Sequence, residues 1–347
     1  MEKRLGRCHR SPVVIEPRLM QNDSCSSTRL NFRYFQLLAL GYAIVLSSPF
    51  AGQGAPGVNR IITWGDMNYD VNIGSQRPEH GVAQIATGSF HSLALLEDGT
   101  LSAWGDNTFG QTTIPSQVKR SRVSQIAAGN VHSVALLRNG TVLAWGHSSG
   151  QFGDYHQDEV PAGLSGVVEV EAGAAHSLAL KRDGTVVAWG FDMFGQCEVP
   201  EGLNHVVAIA GGMYHSLALR SDGTVVAWGD DSRGQTDVPA GLSGIVAIAA
   251  GGLHSLALKS DGTVVCWGGY GLMQANVPPG LTGVTAIATG DYHSLALKGD
   301  GTVVAWGMDS AAQCNLPASL GRVLAIDSRG GHNMILVENR VVRAVRR

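Results

Sequence analysis

The sequence predicts an all-β protein, a seven-bladed β-propeller, from two recurring residues and the segments between them. Tryptophan followed by glycine occurs seven times in the 347 residues, at spacings of 39 to 44 residues. Histidine recurs at matching intervals, and the intervening segments are short and rich in Val, Ile, Leu and Ala. The recurring residues are Trp64, Trp104, Trp145, Trp189, Trp228, Trp267 and Trp306, with His91, His132, His176, His215, His254, His293 and His332. Such a period, built from short strands, is typical of solenoids and propellers.

Each repeat contains four predicted strands. The unit AIAxGxxHSLALKxDGTVVAWGxxxxGQxxVP begins with three apolar runs and ends with an extended segment, GQxxVP, that proline terminates. An Asp-Gly or Asn-Gly pair joins the second and third runs, as at Asp222-Gly223, and this pair favours a two-residue hairpin turn. Because few strand positions are charged, we expect both faces of each sheet to be buried against neighbouring blades.

The two ends of the repeat region together complete one blade. Residues 61–65 contain a Trp strand with no His strand before it, and residues 332–337 contain a His strand with no Trp strand after it. We therefore predict four-stranded blades in a ring that is closed by pairing the C-terminal with the N-terminal strands, which removes exposed sheet edges. Val341 and Val342 are alternative occupants of the strand position assigned to Ile61 and Ile62.

The chain divides into an N-terminal extension, residues 1–55, and the propeller, residues 56–347. Residues 34–46 are uncharged and mostly apolar, follow Arg29 and Arg33, and precede a stretch of small residues. This pattern predicts a signal peptide, because thirteen residues are too few to span a bilayer comfortably. The alternative is a short hydrophobic anchor. We expect an exported protein, periplasmic, cell-surface or secreted, with no integral membrane span in the mature chain.

Charge and cysteine content exclude two protein classes. Lys and Arg number 25 against 28 Asp and Glu, which does not fit a basic nucleic-acid-binding protein. Among the five cysteines, Cys197 and Cys314 occupy the same position of distant repeats, and Cys266 replaces a repeated alanine. No disulfide framework is therefore expected, and stability must come from a large core.

The positions that vary among the seven repeats lie in two sets of loops, the two residues before each His and the residues after each Trp-Gly. In an up-and-down blade both sets emerge on the same side. All ten Phe and Tyr residues after position 50 lie in these loops, together with many Asp residues. Aromatic side chains on rigid loops are typical of protein-binding surfaces. The predicted contact residues are Tyr69, Phe90, Phe109, Phe152, Asp154, Tyr155, Phe191, Phe194, Tyr214, Asp230, Asp231, Tyr270 and Tyr292.

We expect a monomer that binds a protein partner with a basic patch and does not bind nucleic acid. The longest loop, residues 147–156, is the best candidate for a protruding contact. The alternative interpretation of many loop Asp residues is that they hydrogen-bond the backbone of their own turns.

No catalytic residue, metal or cofactor is predicted. A histidine at the same position in every repeat is interpreted as a buried group hydrogen-bonded to backbone. A metal site formed by His147, Asp154 and His156 is a lesser alternative, since one loop supplies all three. An extracytoplasmic hydrolase or lyase that acts on glycans or esters at the propeller axis is another, and axial carboxyl groups with raised pKa would favour it.

The motifs GxxHSLAL, DGTVVAWG and GQxxVP resemble the repeats of the regulator of chromosome condensation family over residues 59–342. The 39-residue unit is similar to the compact bacterial branch that includes β-lactamase-inhibitory protein II. The resemblance implies a seven-bladed propeller, and it makes enzyme inhibition or a guanine-nucleotide-exchange type of regulation conceivable. Two departures are Arg329, where the other repeats have Gly, and Glu338-Asn339, which replaces an Asp-Gly turn.

Overall fold

The computed structural model describes residues 59–66, 78, 81–146, 155–269 and 274–338. These residues form seven three-stranded antiparallel sheets, which we call blades, and one short helix. In each blade the His strand is central, flanked by the strand that precedes it and by the Trp strand. Within the described ranges no helix has the length and hydropathy needed to cross a membrane.

The strands are numbered along the chain, and β1 (Asn59–Gly65) belongs to blade 7. Blade 1 contains β2 (Val82–Thr87), β3 (His91–Leu96) and β4 (Leu101–Gly105), and blade 2 contains β5 (Val123–Ala128), β6 (His132–Leu137) and β7 (Val142–Gly146). The helix α1 (Ser116–Lys119) lies between them in sequence. Blade 3 contains β8 (Val167–Ala172), β9 (His176–Lys181) and β10 (Val186–Gly190), and blade 4 contains β11 (Val206–Gly211), β12 (His215–Arg220) and β13 (Val225–Gly229).

Blades 5 to 7 repeat this order. Blade 5 contains β14 (Ile245–Ala250), β15 (His254–Lys259) and β16 (Val264–Gly268), and blade 6 contains β17 (Val284–Thr289), β18 (His293–Lys298) and β19 (Val303–Gly307). Blade 7 contains β20 (Val323–Arg329), β21 (His332–Glu338) and β1. The first strand of each blade lies next to the first strand of the following blade, and β20 lies next to β2.

Each blade has three strands where the sequence predicts four. The predicted fourth segment forms turns, because side chains rather than a neighbouring strand satisfy its backbone. In blade 1, Phe109 N–H donates to Gln111 Oε1 at 2.9 Å, and Thr112 N–H donates to Asn107 Oδ1 at 2.9 Å. The same arrangement recurs in blade 4, where Gln235 Oε1 accepts from Arg233 N–H at 2.8 Å.

Blade 7 is built from both ends of the described chain. β1 pairs with β21 from Asn59 opposite Glu338 to Gly65 opposite His332. Ile61 and Ile62 therefore occupy the third-strand position. Val341 and Val342, the alternative occupants, lie outside the described residues.

Histidine and serine side chains link each blade to the next. His215 Nε2 lies 2.9 Å from Ser255 Oγ, and Ser255 Oγ donates its proton to Gln235 O at 2.8 Å. The serine must therefore accept from the imidazole, which makes His215 a neutral Nε2–H donor. Equivalent bonds are His91–Ser133, His132–Ser177, His176–Ser216, His254–Ser294, His293–Asn333 and His332–Ser92. The expected backbone partner is thus replaced by a side chain of the adjoining blade.

The indole groups of the Trp residues also form hydrogen bonds across these contacts between neighbouring blades, which we call junctions. Trp267 Nε1 donates to Gln235 O at 3.0 Å, so one buried carbonyl accepts from both the serine and the tryptophan of the following blade. Hydrophobic clusters, each drawing residues from neighbouring blades, fill the remaining space. The repeated Trp, His, Ser and Gln residues therefore belong to the scaffold.

Glu169 occupies a position at which blades 1 and 2 have glutamine. Gln84 Nε2 donates to Ile126 O at 2.8 Å and Gln84 Oε1 accepts from Ile126 N–H at 3.1 Å. Glu169 is 4% exposed, and its Oε1 accepts only the longer bond from Ile209 N–H, at 3.4 Å. Burial raises the pKa of Glu169 well above its usual range. An ionised carboxylate here has no proton to donate to the opposing carbonyl.

We expect Glu169→Gln to raise the free energy of unfolding at pH 8 by about 1 to 2 kcal/mol, because it restores the donor and removes a buried charge. The gain should shrink towards pH 5. The unfolded carboxyl ionises near its ordinary pKa of 4.5 whereas the folded one resists ionisation, so the natural protein loses stability as pH rises. Urea unfolding at both pH values measures the difference, and Gln84→Glu is the matched reverse change. A gain that is equal at pH 5 and pH 8 would contradict this account.

Candidate functional site

The two loop sets lie side by side on one face of the blades. Asp230 N–H donates to Tyr214 O at 2.8 Å, and Phe191 N–H donates to Ala175 O at 2.8 Å. Each bond joins the loop after a Trp strand to the residue before a His. We call this surface the loop face. These bonds fix the backbone at three of the predicted contact residues, Phe191, Tyr214 and Asp230.

Four of the predicted aromatic residues come together on this face. Phe191 is central, with ring centroids 4.6 Å from Tyr155, 6.1 Å from Phe194 and 5.9 Å from Tyr214. Phe194 and Tyr214 also face each other at 5.0 Å. We call these four residues the aromatic cluster. Because they follow β7 and β10 and precede β12, the cluster spans loops of blades 2 to 4.

The outer edge of the cluster is exposed. Phe194 is 44% exposed and its neighbour Met193 is 77% exposed, whereas Tyr155, Phe191 and Tyr214 are half-buried. Sequence reasoning missed Met193 because it counted aromatic residues, although a flexible thioether next to a ring is a common contact group. The half-buried rings of Phe191 and Tyr214 contact the exposed ring of Phe194.

Apart from Asp230 and Asp231, the remaining predicted contact residues fall into two groups. Phe90, Phe109 and Tyr292 are half-buried in the loops of blades 1 and 6, away from the four rings of the aromatic cluster in sequence. The others lie outside the described residues, namely Tyr69, Phe152, Asp154 and Tyr270.

The Asp residues of the loop face stabilise their own turns. Asp230 accepts from Ser232 N–H at 3.1 Å and from Gln235 Nε2 at 2.6 Å, while Asp231 accepts from Thr236 N–H at 3.0 Å. The turn-forming interpretation therefore holds for both residues. Their carboxylates still contribute negative potential beside the aromatic cluster.

A central cavity of about 280 Å³ is lined by the first strands of the blades. Five blades place alanine at one lining position, but blade 3 has Glu171 and blade 7 has Asp327. The alanines are Ala86, Ala127, Ala210, Ala249 and Ala288. Arg329 of blade 7 donates from Nη2 to Ala172 O of blade 3 and, at 2.9 Å, to Gly211 O of blade 4.

Burial changes the ionisation of the groups around this cavity. It raises the pKa of Glu171 to about 8 and that of Asp327 to about 6, and it also raises the pKa of Asp291, which is not part of the cavity lining. The nearby Arg329 guanidinium opposes each of these shifts. Sequence reasoning noted Arg329 as a departure from the repeat but did not single out Glu171 or Asp327. Carboxyl groups of raised pKa are the feature that favours the hydrolase alternative weighed from the sequence.

The described residues give no support to a metal site in the loop of residues 147–156. His156 Nδ1 lies 3.1 Å from Glu159 Oε1, both at the exposed surface, while His147 and Asp154 lie outside the described ranges. In the described part of the chain, no three His, Cys, Asp or Glu residues are grouped so that they could hold a metal ion.

A model of the regulator of chromosome condensation (RCC1) repeat matches six segments, which together make up just over half of the chain. The segments are residues 82–111, 123–156, 167–196, 206–235, 245–269 and 284–313. A comparison with curated proteins found no significant match.

Solved structures share the fold at low sequence identity. Prp20p from Saccharomyces cerevisiae aligns with a TM-score of 0.70 and 21% identity over 83% of this chain and 93% of that chain. Human WBSCR16 aligns with a TM-score of 0.65 and 20% identity over 82% and 100%. The ectodomain of the Arabidopsis thaliana receptor kinase ACR4 aligns with a TM-score of 0.57 and 22% identity over 71% and 89%. With six matched repeats and this propeller fold, the chain belongs to the regulator of chromosome condensation (RCC1) repeat family.

Proposed function

We propose that this protein is an exported, non-catalytic module that binds another protein through its loop face. The observation that supports this role is the aromatic cluster, in which half-buried rings hold Phe194 at the surface at 44% exposure. Large aromatic side chains dominate the binding energy of protein interfaces. A fold that needed these rings only for core volume would place them on strands.

The loops that present Phe191, Phe194 and Tyr214 are ordered before a partner arrives. Backbone bonds from Phe191 and Asp230 and side-chain bonds from Asp230 and Asp231 hold them in place. Binding then costs little conformational entropy, because few groups remain to be ordered. This is the arrangement that gives a small surface useful affinity.

The proposal has four further parts, and three of them have separate support. Closure of the blades into a ring is supported by the β1–β21 pairing and by the contact between β20 and β2. Export rests on the predicted signal peptide, residues 34–46, and ACR4 supplies an ectodomain of similar fold. A basic partner is supported by the carboxylates beside the cluster, and we propose that the protein acts as a monomer.

Protein binding agrees with what is known of a structural relative. Prp20p binds Gsp1p and histones. That similarity also keeps an exchange-factor type of regulation as an alternative. Release of labelled guanine nucleotide from a captured partner would favour this alternative over simple binding.

Capture of a partner by the full chain tests the proposal. We expect the combined change Phe191→Ala, Phe194→Ala and Tyr214→Ala to weaken capture at least about tenfold, as loss of a central aromatic contact does elsewhere. Val168→Ala is the control, since Val168 is 41% exposed at the start of β8, far along the strand from the loop face. Thermal unfolding checks that both variants fold. Equal capture by the triple variant and the natural protein would refute the role of this face.

A second candidate function, hydrolysis or elimination on glycans or esters, is favoured by the carboxyl groups of raised pKa in the central cavity. A panel of glycan and ester substrates tests it with Glu171→Gln and Asp327→Asn. Turnover that both changes abolish would establish this function, and turnover that survives both would exclude the cavity as the active site.

A further inference from the structure

We infer that partner recognition is centred away from the propeller axis, on the loops of blades 3 and 4, and that the partner places a Lys or Arg side chain against Phe194 and Tyr214. This inference rests on the proposed protein-binding function and adds the location of the contact and the chemistry of the partner. Apolar exposure, local charge and ring geometry each support it.

Apolar exposure on the loop face is concentrated in this sector. Among the described residues only four large hydrophobic side chains are exposed, and Met193 and Phe194 are two of them. The residues before the histidines of blades 5 and 7 are small or fully packed, Gly252-Leu253 and Gly330-Gly331, with Leu253 only 7% exposed. Blade 4 has Met213-Tyr214 at the same place. A partner that covers Met193 and Phe194, the two most exposed of the four, therefore lies over blades 3 and 4.

Acidic residues accumulate in the same loops. Residues 191–198 and 230–237 contain five acidic residues and one basic residue, Arg233. The acidic residues are Asp192, Glu198, Asp230, Asp231 and Asp237. The corresponding segments of blades 1 and 6, residues 106–113 and 308–315, contain one acidic residue each. The sector that exposes apolar surface is thus also the most negative part of the described loops, and this favours a cationic partner.

The two outer rings offer a site for that cation. Phe194 and Tyr214 lie 5.0 Å apart with their planes inclined at 46°. A Lys or Arg group within about 6 Å of an aromatic face is attracted by the ring electrons, and an alkyl stem packs well against Met193. Asp192 and Asp231 are exposed in the loops of blades 3 and 4, and each uses Oδ1 to hold the backbone of its own loop. That bond uses one of the two oxygens of each carboxylate.

Three fluorescein-labelled octapeptides serve as probes, with Leu alternating with Arg, Gln or Glu. Against the full chain, we expect the Leu-Arg peptide to bind about tenfold more tightly than the Leu-Gln peptide, and the Leu-Glu peptide to bind more weakly than both. Phe194→Leu keeps an apolar side chain but removes the ring electrons, and it should weaken Leu-Arg binding about fivefold, whereas Phe194→Tyr should change it less than twofold.

The contribution of the acidic residues to peptide binding has a matched control within the repeats. Asp192→Asn with Asp231→Asn should weaken Leu-Arg binding about tenfold and reduce its dependence on salt. Their turns should persist, because Asn107 holds the equivalent turn of blade 1. Asp222→Asn with Asp261→Asn makes the same charge change in the hairpin turns, where Asn139 is the natural counterpart, and should leave binding unchanged.

The results of these binding experiments either support or overturn the proposed cation site on blades 3 and 4. Equal binding of the Leu-Arg and Leu-Gln peptides, or an equal loss in the hairpin-turn control, would overturn it. A captured protein that still binds the Asp192/Asp231 and Phe194→Leu variants but is lost on Phe90→Ala with Phe109→Ala would place recognition on another sector. In that case the loop face keeps its proposed function and only the inference fails.

Discussion

Gly212→Ala is expected to destabilise the protein by about 3 kcal/mol or more, combining overpacking with the loss of a buried hydrogen bond. A β-carbon at Gly212 would lie 2.5 Å from His215 Nδ1 and 2.7 Å from Gly251 O. The carbonyl belongs to the backbone and the imidazole is fully buried, so neither can move without disrupting the packing around it. Displacing His215 breaks its 2.9 Å bond to Ser255 and leaves the junction of blades 4 and 5 unsatisfied.

Gly299→Ala is the matched control. Its β-carbon would meet Thr285 Cγ2 at 3.5 Å, an ordinary contact, and its backbone is not in the left-handed region. We expect a change within about 0.5 kcal/mol. Urea unfolding followed by tryptophan fluorescence compares the two variants. Similar midpoints for both would show that the close packing at Gly212 does not limit stability.

Acidification below pH 6.5 is expected to destabilise the protein steeply. Burial lowers the pKa of His91, His176 and His254 to about 3 and that of His215 and His293 to about 4. Unfolded histidine takes up a proton near its ordinary value of 6.5, while the folded imidazole stays neutral. Each such group therefore costs about 1.4 kcal/mol of stability per pH unit between 6.5 and its folded pKa.

Four carboxyl groups act in the opposite direction, because burial raises the pKa of Glu169, Glu171, Asp291 and Asp327. The folded pKa of Glu171 is about 8 and that of Glu169 is well above its usual range, so both groups add stability as pH falls from about 8, until each unfolded carboxyl is also protonated. Asp327 has a folded pKa of about 6 and adds stability only below that value. Between pH 8 and 6.5 the gain from Glu169 and Glu171 dominates, whereas below pH 6.5 the five histidines outnumber the four carboxyl groups. We therefore expect maximum stability near pH 6.5.

Urea midpoints at pH 8, 6.5, 5.5 and 4.5 test this pH profile. In His254→Gln the new amide can still donate to Ser294. This change should reduce the slope of the free energy of unfolding against pH, below pH 6.5, by the equivalent of about one proton. A flat profile from pH 6.5 to 4.5 would mean that the histidines are not held neutral by burial.

The repeat allowed much of the fold to be predicted, because its periodicity identifies the strands and its Asp-Gly pairs identify the hairpins. The prediction of four strands per blade was wrong, because each blade has three. The segment GQxxVP has the composition of a strand, but Gln111 and Asn107 satisfy its backbone from within the same turn. Competition of this kind between side chains and a sheet ladder is not visible in an apolar pattern.

The histidine partners show a second limit. His-Ser neighbours occur in six of the seven repeats, yet the bond joins His215 to the serine of the following blade, forty residues away. Sequence alone does not give the alignment of one blade against the next. The loop face could be predicted because its residues vary among the repeats. The contacts of Phe191 with Tyr155 and Tyr214 could not, and neither could the reach of Arg329 to Gly211, 118 residues away in sequence.

The His-Ser-Gln junctions also bear on how such a protein diversifies. They use residues that recur in nearly every copy, whereas Phe191, Phe194 and Tyr214 stand where the copies differ. Substitutions at these three residues therefore leave the contacts between blades unchanged. If the loop face binds a partner as proposed, a lineage with this architecture is free to exchange one target for another at little cost in folding stability, and grafting the corresponding loop residues onto a different blade should transfer recognition to a new sector.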